Sequence, residues 1–391
     1  MTQELSVLHL QPQGFLVAAK NVGIKDDTLD FTVIYSTVRA PAAAMFTRNR
    51  FPGAPVIVGR DHISDGYLQA LVVNSKNANV ATGQRGIEDA LETCRLVAHE
   101  LGIAPRDVLP FSTGVIGRPL PMDRIRAGIP GVREELRPNN LEQAARAIMT
   151  TDAYPKYVSR QVGPAVVAGI AKGAGMIEPN MATMLAYIVT DAELPAQSLR
   201  PMLRRAVDRS FNAMSIDTDT STSDTVVLMA NGLAGRVDRR AFVQALTEVC
   251  EHLAREIARN GEGASKLLTV QVRGAKHARQ AKRVAKAVVN SPLVKTAVYG
   301  CDPNWGRVVM AVGKCVEERE IEPQRVTIRF GPYPVFQLGA PVECDLDVLR
   351  RYLGQPEVEI GVDLGIARGS ARVWGCDLTE GYIKENAYYT T

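Results

Sequence analysis

The chain has 391 residues, 46% of them hydrophobic and 23% charged, and a formal net charge of +4, which is the composition of a globular protein with a sizeable core. This small charge, without a dense Lys/Arg tract, argues against nucleic acid as the main partner. No apolar run reaches the roughly 18 residues of a membrane-spanning helix, and residues 1–14 lack a signal-peptide pattern, so we expect a cytoplasmic protein that does not enter a membrane.

Cysteine and histidine are spaced in a way that indicates neither a metal site nor a redox pair. The six cysteines include no C-x-x-C pair, and the five histidines lack metal-ligand spacing. The string Gly173-x-Gly175 has neither the third glycine nor the spacing of a dinucleotide fingerprint, and the sequence contains no Walker motif. We therefore expect reduced thiols, no metal and no cofactor.

The first hundred or so residues predict short strands followed by a helix. Residues 31–35 and 55–58 are β-rich runs bounded by Asp, Gly and Pro, and 71–73 is a third. The string Asn74-Ser-Lys-Asn77-Ala-Asn79 follows, and asparagine favours turns and left-handed backbone. Apolar residues then repeat at helical spacing over 87–101.

Three polar features come next, and the first and the last of them each have two interpretations. The string Pro110-Phe-Ser-Thr113-Gly114-Val-Ile-Gly is either a plain turn or an oxyanion hole, in which preorganised donors stabilise a tetrahedral intermediate and glycine lets the backbone approach the substrate. A helix predicted over 141–149 ends at Thr150-Thr151-Asp152. An apolar strand over 162–170 leads to Lys172, which is either solvated or placed to contact a carboxylate or carbonyl group.

The functional interpretation depends on the junction at Thr183. A Gly-rich, Pro-broken segment leads there into an apolar run over 185–189. A β-branched threonine can simply begin a strand. Alternatively, the Thr183 hydroxyl attacks the carbonyl of Ala182 and cuts the chain. The α-amine that is released has a pKa of roughly 8, so it can act as the base for its own hydroxyl.

The second half predicts further helices and strands around two more polar motifs. Asp217 and Asp219 lack the EF-hand pattern, which favours a hydrogen-bonded loop over a cation site. Glu262 follows a helix stop at Asn260-Gly, where a glutamate is usually exposed. The basic stretch 275–288 is interpreted as a solvated helix face. The predicted helices are 199–207 and 242–257, and a strand is predicted over 226–229. The last third is predicted to form a smaller α/β lobe, with strands over 326–330, 358–364 and 371–374.

These motifs, as an ordered series from about residue 15 to the end, resemble the ornithine acetyltransferases, the glutamate N-acetyltransferases of arginine biosynthesis. The strings that carry the resemblance are Ser112-Thr-Gly-Val-Ile-Gly, Lys172-Gly-x-Gly-Met-Ile-x-Pro-Asn-Met-Ala-Thr-Met-Leu, Glu262-Gly-Ala and Gly300-Cys-Asp-Pro-Asn-Trp-Gly-Arg.

Three positions depart from the family pattern. Lys76 stands where most members have glycine, so the local backbone is expected to differ. Thr218 and Ser223 give the loop a form similar to that of family members associated with clavam-type antibiotic clusters. This departure leaves both an arginine-pathway role and an antibiotic-linked role open.

The resemblance implies a role for each matching residue. Thr183 is the nucleophile, the cleavage site is the Ala182–Thr183 bond, and Thr113 and Gly114 form the oxyanion hole. The implied substrate-binding residues are Thr151 (with Thr150 as a close rival), Lys172, Thr183, Glu262, Asn386 and Thr391.

The resemblance also implies the fold and the assembly. The expected fold is an α/β layered sandwich of two β-sheets flanked by helices, like the N-terminal-nucleophile hydrolases but with different connectivity, plus a smaller C-terminal α/β lobe. The expected lobes are 1–275 and 276–391. Cleavage would give an α-chain, 1–182, and a β-chain, 183–391, which stay folded together and assemble as an α2β2 heterotetramer or a higher oligomer.

The implied reaction is a ping-pong transfer of acetyl from N2-acetyl-L-ornithine to L-glutamate through acetyl-Thr183, with ornithine as the first product and no cofactor. Three alternatives stay open. The first is a bifunctional enzyme that also uses acetyl-CoA as donor. The second is a self-cleaving aminopeptidase of related architecture. The third is a non-enzymatic paralogue that binds amino acids without forming an acyl-enzyme.

Overall fold

The structure, a computed structural model, describes residues 10–178 and 184–388. The strands are β1 Phe15–Lys20, β2 Phe31–Phe46, β3 Tyr67–Asn74, β4 Val108–Ser112, β5 Lys156–Val162, β6 Ala165–Lys172, β7 Leu185–Glu193, β8 Thr225–Arg236, β9 Leu267–Ala275, β10 Thr327–Phe330, β11 Tyr333–Gln337, β12 Ala340–Pro341, β13 Glu357–Asp363 and β14 Gly369–Cys376. The helices are α1 Ala54–His62, α2 Gly83–Leu101, α3 Met122–Gly128, α4 Val132–Glu135, α5 Leu141–Ala147, α6 Ala196–Arg209, α7 Arg239–Arg259, α8 Ala278–Val289, α9 Pro292–Tyr299, α10 Trp305–Gly313, α11 Leu346–Leu353 and α12 Glu380–Tyr388.

The first sheet folds onto itself through its longest strand. Its order is β4-β3-β2-β8-β7-β6-β5, with β1 also paired to β2. The 16-residue β2 shifts register between Tyr35 and Ala40, so its first half pairs with β1 and β3 and its second half with β8. One apolar cluster contains side chains from both halves of the sheet. Within it, Phe111 of β4 meets Tyr187 of β7 edge to face, with ring centroids 4.8 Å apart, so the two halves pack face to face as two layers.

Helices cover both outer faces of this sandwich, because successive side chains along each strand point to opposite faces of the sheet. Leu185 and Tyr187 of β7 point into the cluster between the layers, whereas Ala186 and Ile188 join a second cluster with α6 and α7. On the opposite side, α2 and α3 pack on β2 and β3. The layer order is helix, sheet, sheet, helix, and the predicted layered α/β architecture with two sheets flanked by helices is confirmed.

The last third builds a second, six-stranded sheet in the order β12-β11-β10-β13-β9-β14. Its core contains side chains from α8, α9, α10 and α11. The first strand of this sheet in chain order is β9, which pairs in parallel with β13 and antiparallel with β14. The expected division of the chain at residues 275 and 276 stays a prediction. In the described ranges, no helix combines the length and the apolar character that crossing a bilayer requires.

Two sequence predictions were wrong in detail. Residues 55–58 form part of helix α1 rather than a strand, with Pro55 in its first turn, where the fixed φ of proline favours a helix. A four-residue apolar run cannot distinguish a buried helix from a strand. The strand predicted over 162–170 is found as β6 but begins only at Ala165, because Val162 ends β5 and Gly163, at a φ of +58°, turns the chain between the two strands.

Candidate active site

A cavity of about 340 Å³ lies where the carboxyl ends of β4 and β6 meet the amino end of β7. Met184, which follows Thr183, lines this cavity together with Ser221, Thr222 and Asp224 of the loop before β8. Six of the residues that sequence motifs single out also line it, namely Thr113, Gly114, Thr151, Lys172, Glu262 and Asn386. Three further predicted residues, Ala182, Thr183 and Thr391, lie outside the described residues.

The Glu262 carboxylate is the centre of the cavity's hydrogen bonding. Its Oε1 accepts a bond from the Thr151 hydroxyl at 2.8 Å, and its Oε2 accepts one from Asn386 Nδ2 at 2.9 Å. A Cβ at Gly175 would lie 2.2 Å from Oε2, so any side chain there would displace the carboxylate from this position. Thr150 also lines the cavity, but it is Thr151 that contacts the glutamate.

A buried ion pair holds the three segments around this carboxylate together. Asp152 Oδ1 accepts bonds from Lys156 Nζ and from Gly173 N–H, each at 2.7 Å, and both charged side chains have no exposed surface. Lys156 Nζ also donates to Asn260 Oδ1 at 2.7 Å. Burial alone would raise the pKa of Asp152, but the two lysines, Lys156 and Lys172, and the Gly173 N–H outweigh it and hold that pKa below its usual value. The pair thereby fixes the turns that carry Thr151, Lys172 and Glu262.

Lys172 extends from the end of β6 into the cavity. Its backbone pairs with Leu185 at the start of β7, which places it beside the junction that follows Thr183. Burial lowers the pKa of the Lys172 ammonium below 10.5, and nearby Asp152 opposes that shift. A lysine held here is suited to bind a substrate carboxylate, because such a partner restores the charge stabilisation that burial removes.

The backbone around Gly114 is fixed from both sides. Thr113 N–H donates to Asn74 O and Val115 N–H donates to Lys76 O, each at 3.1 Å. Gly114 has a φ of +132°, and a Cβ there would lie 2.2 Å from the Lys76 carbonyl carbon. Lys76 itself adopts a φ of +74°, a left-handed conformation that glycine adopts more easily than lysine. The expected difference from the family's local backbone stays a prediction. With its N–H engaged, Thr113 has its hydroxyl as the group available to a ligand.

A second loop holds the chain that leads into the cleavage segment. Asp217 Oδ2 accepts a bond from Met176 N–H at 2.6 Å, and Oδ1 accepts one from Ile177 N–H at 2.7 Å. The Tyr382 hydroxyl contacts the same carboxylate at 3.3 Å. Burial raises the pKa of Asp217 above its usual value, and the backbone N–H donors oppose that shift. Sequence reasoning placed a hydrogen-bonded loop here but missed its partners.

The C-terminal helix α12 reaches the cavity through a close backbone contact. Thr379 Oγ1 donates to Gly263 O at 2.5 Å. A Cβ at Gly263 would lie 2.2 Å from the Gly381 carbonyl carbon, so the two glycines allow the chains to touch. This contact places Asn386 against Glu262.

A larger cavity of about 750 Å³ adjoins the first and shares Gly114, Val115, Thr150 and Thr151 with it. Its walls contain four cations, Lys25, Lys76, Arg118 and Arg146, and two carboxylates, Asp27 and Asp152. Lys25 Nζ donates to Met149 O at 2.7 Å, and burial lowers the pKa of Lys25 to about 8. Two of these cations are already paired, Arg146 with Glu142 at 2.7 Å and Lys76 with Asp26 at 3.4 Å. Lys25 and Arg118 are therefore the candidates for binding an anionic ligand.

The structure brings together residues that sequence reasoning did not single out. Asp152 stands inside the quoted Thr-Thr-Asp motif, and this was the one signal that could have marked it. Lys156 belongs to a short strand with no motif, and its burial follows only from the tertiary fold. Among the described residues, no group of three or more His, Cys, Asp or Glu side chains could hold a metal ion.

Comparison with known proteins gives consistent matches over nearly the whole chain. A model of the ArgJ family matches residues 16–391. The chain is 51% identical over 380 residues to the arginine biosynthesis bifunctional protein ArgJ 2 of a Nostoc species, covering 97% of this chain and 98% of that protein. It is 52% identical over 385 residues to the glutamate N-acetyltransferase Oat2 of Streptomyces clavuligerus, with the same coverage of 97% and 98%.

Among solved structures, the chain is similar to the arginine biosynthesis bifunctional protein argJ of Bacillus halodurans. The identity is 40% and the TM-score 0.51, and the match covers 53% of this chain and 100% of that chain.

Proposed function

The chain belongs to the ArgJ family and is an acyltransferase, and from this premise we propose that it cuts itself at Ala182–Thr183 and then transfers acetyl from N2-acetyl-L-ornithine to L-glutamate. The observation that carries the proposal is the cavity itself. A carboxylate, an ammonium group and a fixed Thr113-Gly114 turn surround one space, and Met184, next to Thr183, lines it. The match to the ArgJ family favours the interpretation of Thr183 as a nucleophile over its interpretation as a threonine that simply begins a strand.

Self-cleavage is an acyl shift followed by hydrolysis. The Thr183 hydroxyl oxygen attacks the Ala182 carbonyl carbon, the C–N bond breaks, and the hydroxyl proton passes to the Thr183 amine. Water then hydrolyses the ester, which frees the Ala182 carboxylate and the Thr183 hydroxyl. The Bacillus halodurans match supports two chains, since one complete chain there corresponds to 53% of this one, close to the share that residues 183–391 make up.

The two product chains are expected to stay together because the first sheet crosses the cut. Strands β1 to β6 precede the cut, and β7 and β8 follow it. β7 pairs with β6, and β8 pairs with β2. The cleaved protein therefore keeps shared strand ladders and a shared core. The α2β2 assembly and the cytoplasmic location stay predictions.

Transfer then proceeds in two half-reactions. The free Thr183 amine, with a pKa of roughly 8, takes the hydroxyl proton as the oxygen attacks the acetyl carbon of N2-acetylornithine. The Thr113 hydroxyl and the Gly114 N–H donate to the oxyanion. Ornithine leaves with the proton, and the α-amine of glutamate attacks acetyl-Thr183 in the reverse sense. No cofactor is required, because the threonine itself carries the acetyl group.

Substrate recognition divides between the two charged side chains. Glu262, held by Thr151 and Asn386, binds the free ammonium group of the ornithine part. Lys172 binds a carboxylate of the amino acid, and Thr391 is proposed to close the site from the C-terminus. In the described part of the cavity, Glu262 and Lys172 are of opposite sign and lie on separate strands and turns, so a zwitterionic substrate can be oriented between them.

The test is substitution at the nucleophile. Thr183→Ala is expected to remain one full-length chain without transferase activity, because it has no hydroxyl for either reaction. Thr183→Ser keeps a hydroxyl and an α-amine, and it should be cut and retain activity. Cleavage between residues 182 and 183 in Thr183→Ala would refute the proposal. Release of amino acids from peptide amides without acetyl transfer would instead favour an aminopeptidase.

The adjoining cavity favours a second candidate function, the use of acetyl-CoA as an additional donor. Its Lys25 and Arg118 suit a donor that carries phosphate groups, and Gly114 of the proposed oxyanion hole lines it. Arg118→Met is expected to raise the KM for acetyl-CoA about 10-fold or more, the effect of losing a charge-assisted hydrogen bond, without changing the KM for N2-acetylornithine. The KM for acetyl-CoA should also rise as the pH rises through about 8, where Lys25 loses its charge.

Failure of acetyl-CoA to acetylate glutamate would limit the protein to the ornithine reaction. An equal rise in both KM values for Arg118→Met would mean that the larger cavity does not discriminate between donors.

A further inference from the structure

Glu178, the last described residue before the cleavage segment, is held at each of its polar atoms. Its N–H donates to Asp219 O at 2.8 Å, and its carbonyl accepts a bond from the Thr220 hydroxyl at 3.0 Å. Its carboxylate reaches the C-terminal lobe, where Oε1 lies 3.0 Å from Lys286 Nζ and Oε2 accepts a bond from Asn290 Nδ2 at 2.9 Å.

The contacts of the Glu178 carboxylate connect the chain just before the cleavage segment to helix α8 of the C-terminal lobe. Lys286 and Asn290 lie at the end of α8, which packs on the second sheet. The Lys286 and Glu178 side chains keep only 14% and 25% of their surface exposed, so solvent screens their attraction less than at an open surface. Lys286 also donates to Met214 O at 2.6 Å, which ties the lysine to the segment before Asp217.

The other end of the segment is held independently. Thr225 N–H donates to Met184 O at 2.9 Å, and Leu185 lies between Lys172 and Thr225 in the first sheet. The five residues from 179 to 183 therefore connect two fixed points, one of which depends on α8. Both described neighbours of these residues, Glu178 and Met184, are held by hydrogen bonds.

Self-cleavage requires the Thr183 hydroxyl oxygen to approach the Ala182 carbonyl carbon at a defined distance and angle. An error of about 1 Å at reacting atoms can lower a rate about 100-fold. We propose that Lys286 and Asn290 are positioning residues for self-cleavage, which hold Glu178 and thereby align the segment that contains the Ala182–Thr183 bond. The inference rests on the proposed function, since it concerns the cut that the proposed function requires.

A consequence is an order of events. The contact exists only when α8 is docked against the loop around Asp219. Cutting is therefore fast only after the C-terminal lobe has folded, and a chain whose lobe is not yet in place is cut slowly. Once the bond is cut, Glu178 belongs to the α-chain and has no part in acetyl transfer.

The test compares cleavage rates in pulse-labelled full-length chains. Lys286→Met removes the ammonium group, and Glu178→Gln removes the carboxylate charge at constant shape. Lys276→Met is the matched control, because Lys276 lies two residues before the start of α8 and its ammonium group pairs with Glu320 at 2.6 Å instead of with Glu178. We expect cleavage to slow about 10- to 100-fold in the first two variants and to keep the wild-type rate in the control.

Two further measurements separate positioning from general damage. The double variant Glu178→Gln, Lys286→Met should be no slower than the slower single variant, because both substitutions break one contact. The cleaved fraction of each variant should show wild-type kcat and KM. Lys286→Arg, which keeps the charge, should restore much of the rate.

Wild-type cleavage rates in both single variants, or the same slowing in Lys276→Met, would overturn the inference. If Lys286→Met fails to fold, Glu178→Gln decides, since it leaves α8 intact. A wild-type chain that is never cut would remove the proposed function itself. A cut wild type with unaffected variants would remove this inference alone.

Discussion

Replacing Glu262 by glutamine tests the charge that is proposed to select ornithine. The two residues have the same shape, and both Thr151 and Asn386 can still bond to an amide, since the hydroxyl rotates and the Asn386 amide can flip. What is lost is the charge. A hydrogen bond to a charged group contributes about 1.5–3 kcal/mol, and each 1.36 kcal/mol is a factor of ten. The Kd for ornithine is therefore expected to rise about 10- to 150-fold in Glu262→Gln.

The assay is titration calorimetry with ornithine on the cleaved protein, combined with KM values for both substrates. Glutamate has no side-chain ammonium group, so its KM should change far less than that of N2-acetylornithine. Glu256→Gln is the matched control, because Glu256 lies in the last turn of α7, bonds to Arg259 and Tyr154, and does not line the cavity. An unchanged Kd for ornithine in Glu262→Gln, or the same change in Glu256→Gln, would refute the assignment.

Three further predictions concern the turn, the strained loop and the buried lysine. Gly114→Ala forces a Cβ to within 2.2 Å of the Lys76 carbonyl carbon, and kcat for acetyl transfer should fall about 100- to 1,000-fold, as when an oxyanion donor is lost; a wild-type kcat would contradict this role. Thr218 has a φ of +72°, and the backbone strain of this conformation costs a residue with a side chain about 1–2 kcal/mol. Thr218→Gly removes that strain but makes the unfolded chain more flexible, which costs about 0.4–1 kcal/mol of stability. Urea unfolding should therefore show a small net gain in the free energy of unfolding, and a loss would contradict the strain. Burial lowers the pKa of Lys172 below 10.5, so the ammonium group loses its charge as the pH approaches that lowered pKa from below, and the KM for glutamate should rise. Lys172→Met should abolish this rise. A pH-independent KM in the wild type would contradict the contact between Lys172 and a substrate carboxylate.

Much of the fold was accessible from local pattern. The continuous apolar run in β7 and the helical spacing in α7 are signals carried by several residues each. Asn260-Gly261 marks the end of α7 by chemistry that operates within a few residues. The segment at 55–58 failed because four apolar residues fit either a helix or a strand, and what decides between them is packing against elements far along the chain.

The residues of the site were predicted from the resemblance of motifs to a family and not from local pattern. Glu262 follows a helix end, where glutamate is ordinarily solvated, and its partners Thr151 and Asn386 are 111 and 124 positions away. No local pattern joins three such residues, and resemblance of motifs was what singled them out. The Asp152–Lys156 pair shows the limit of both approaches. Its i, i+4 spacing is typical of an exposed helical pair, yet it lies wholly buried between a turn and β5.

The most direct test of the account is the intact mass of the purified protein before and after incubation with N2-acetylornithine. The account predicts two chains, 1–182 and 183–391, with one acetyl group added to the chain that begins at Thr183. A single uncut chain, or two chains of which the second gains no acetyl group, would contradict it.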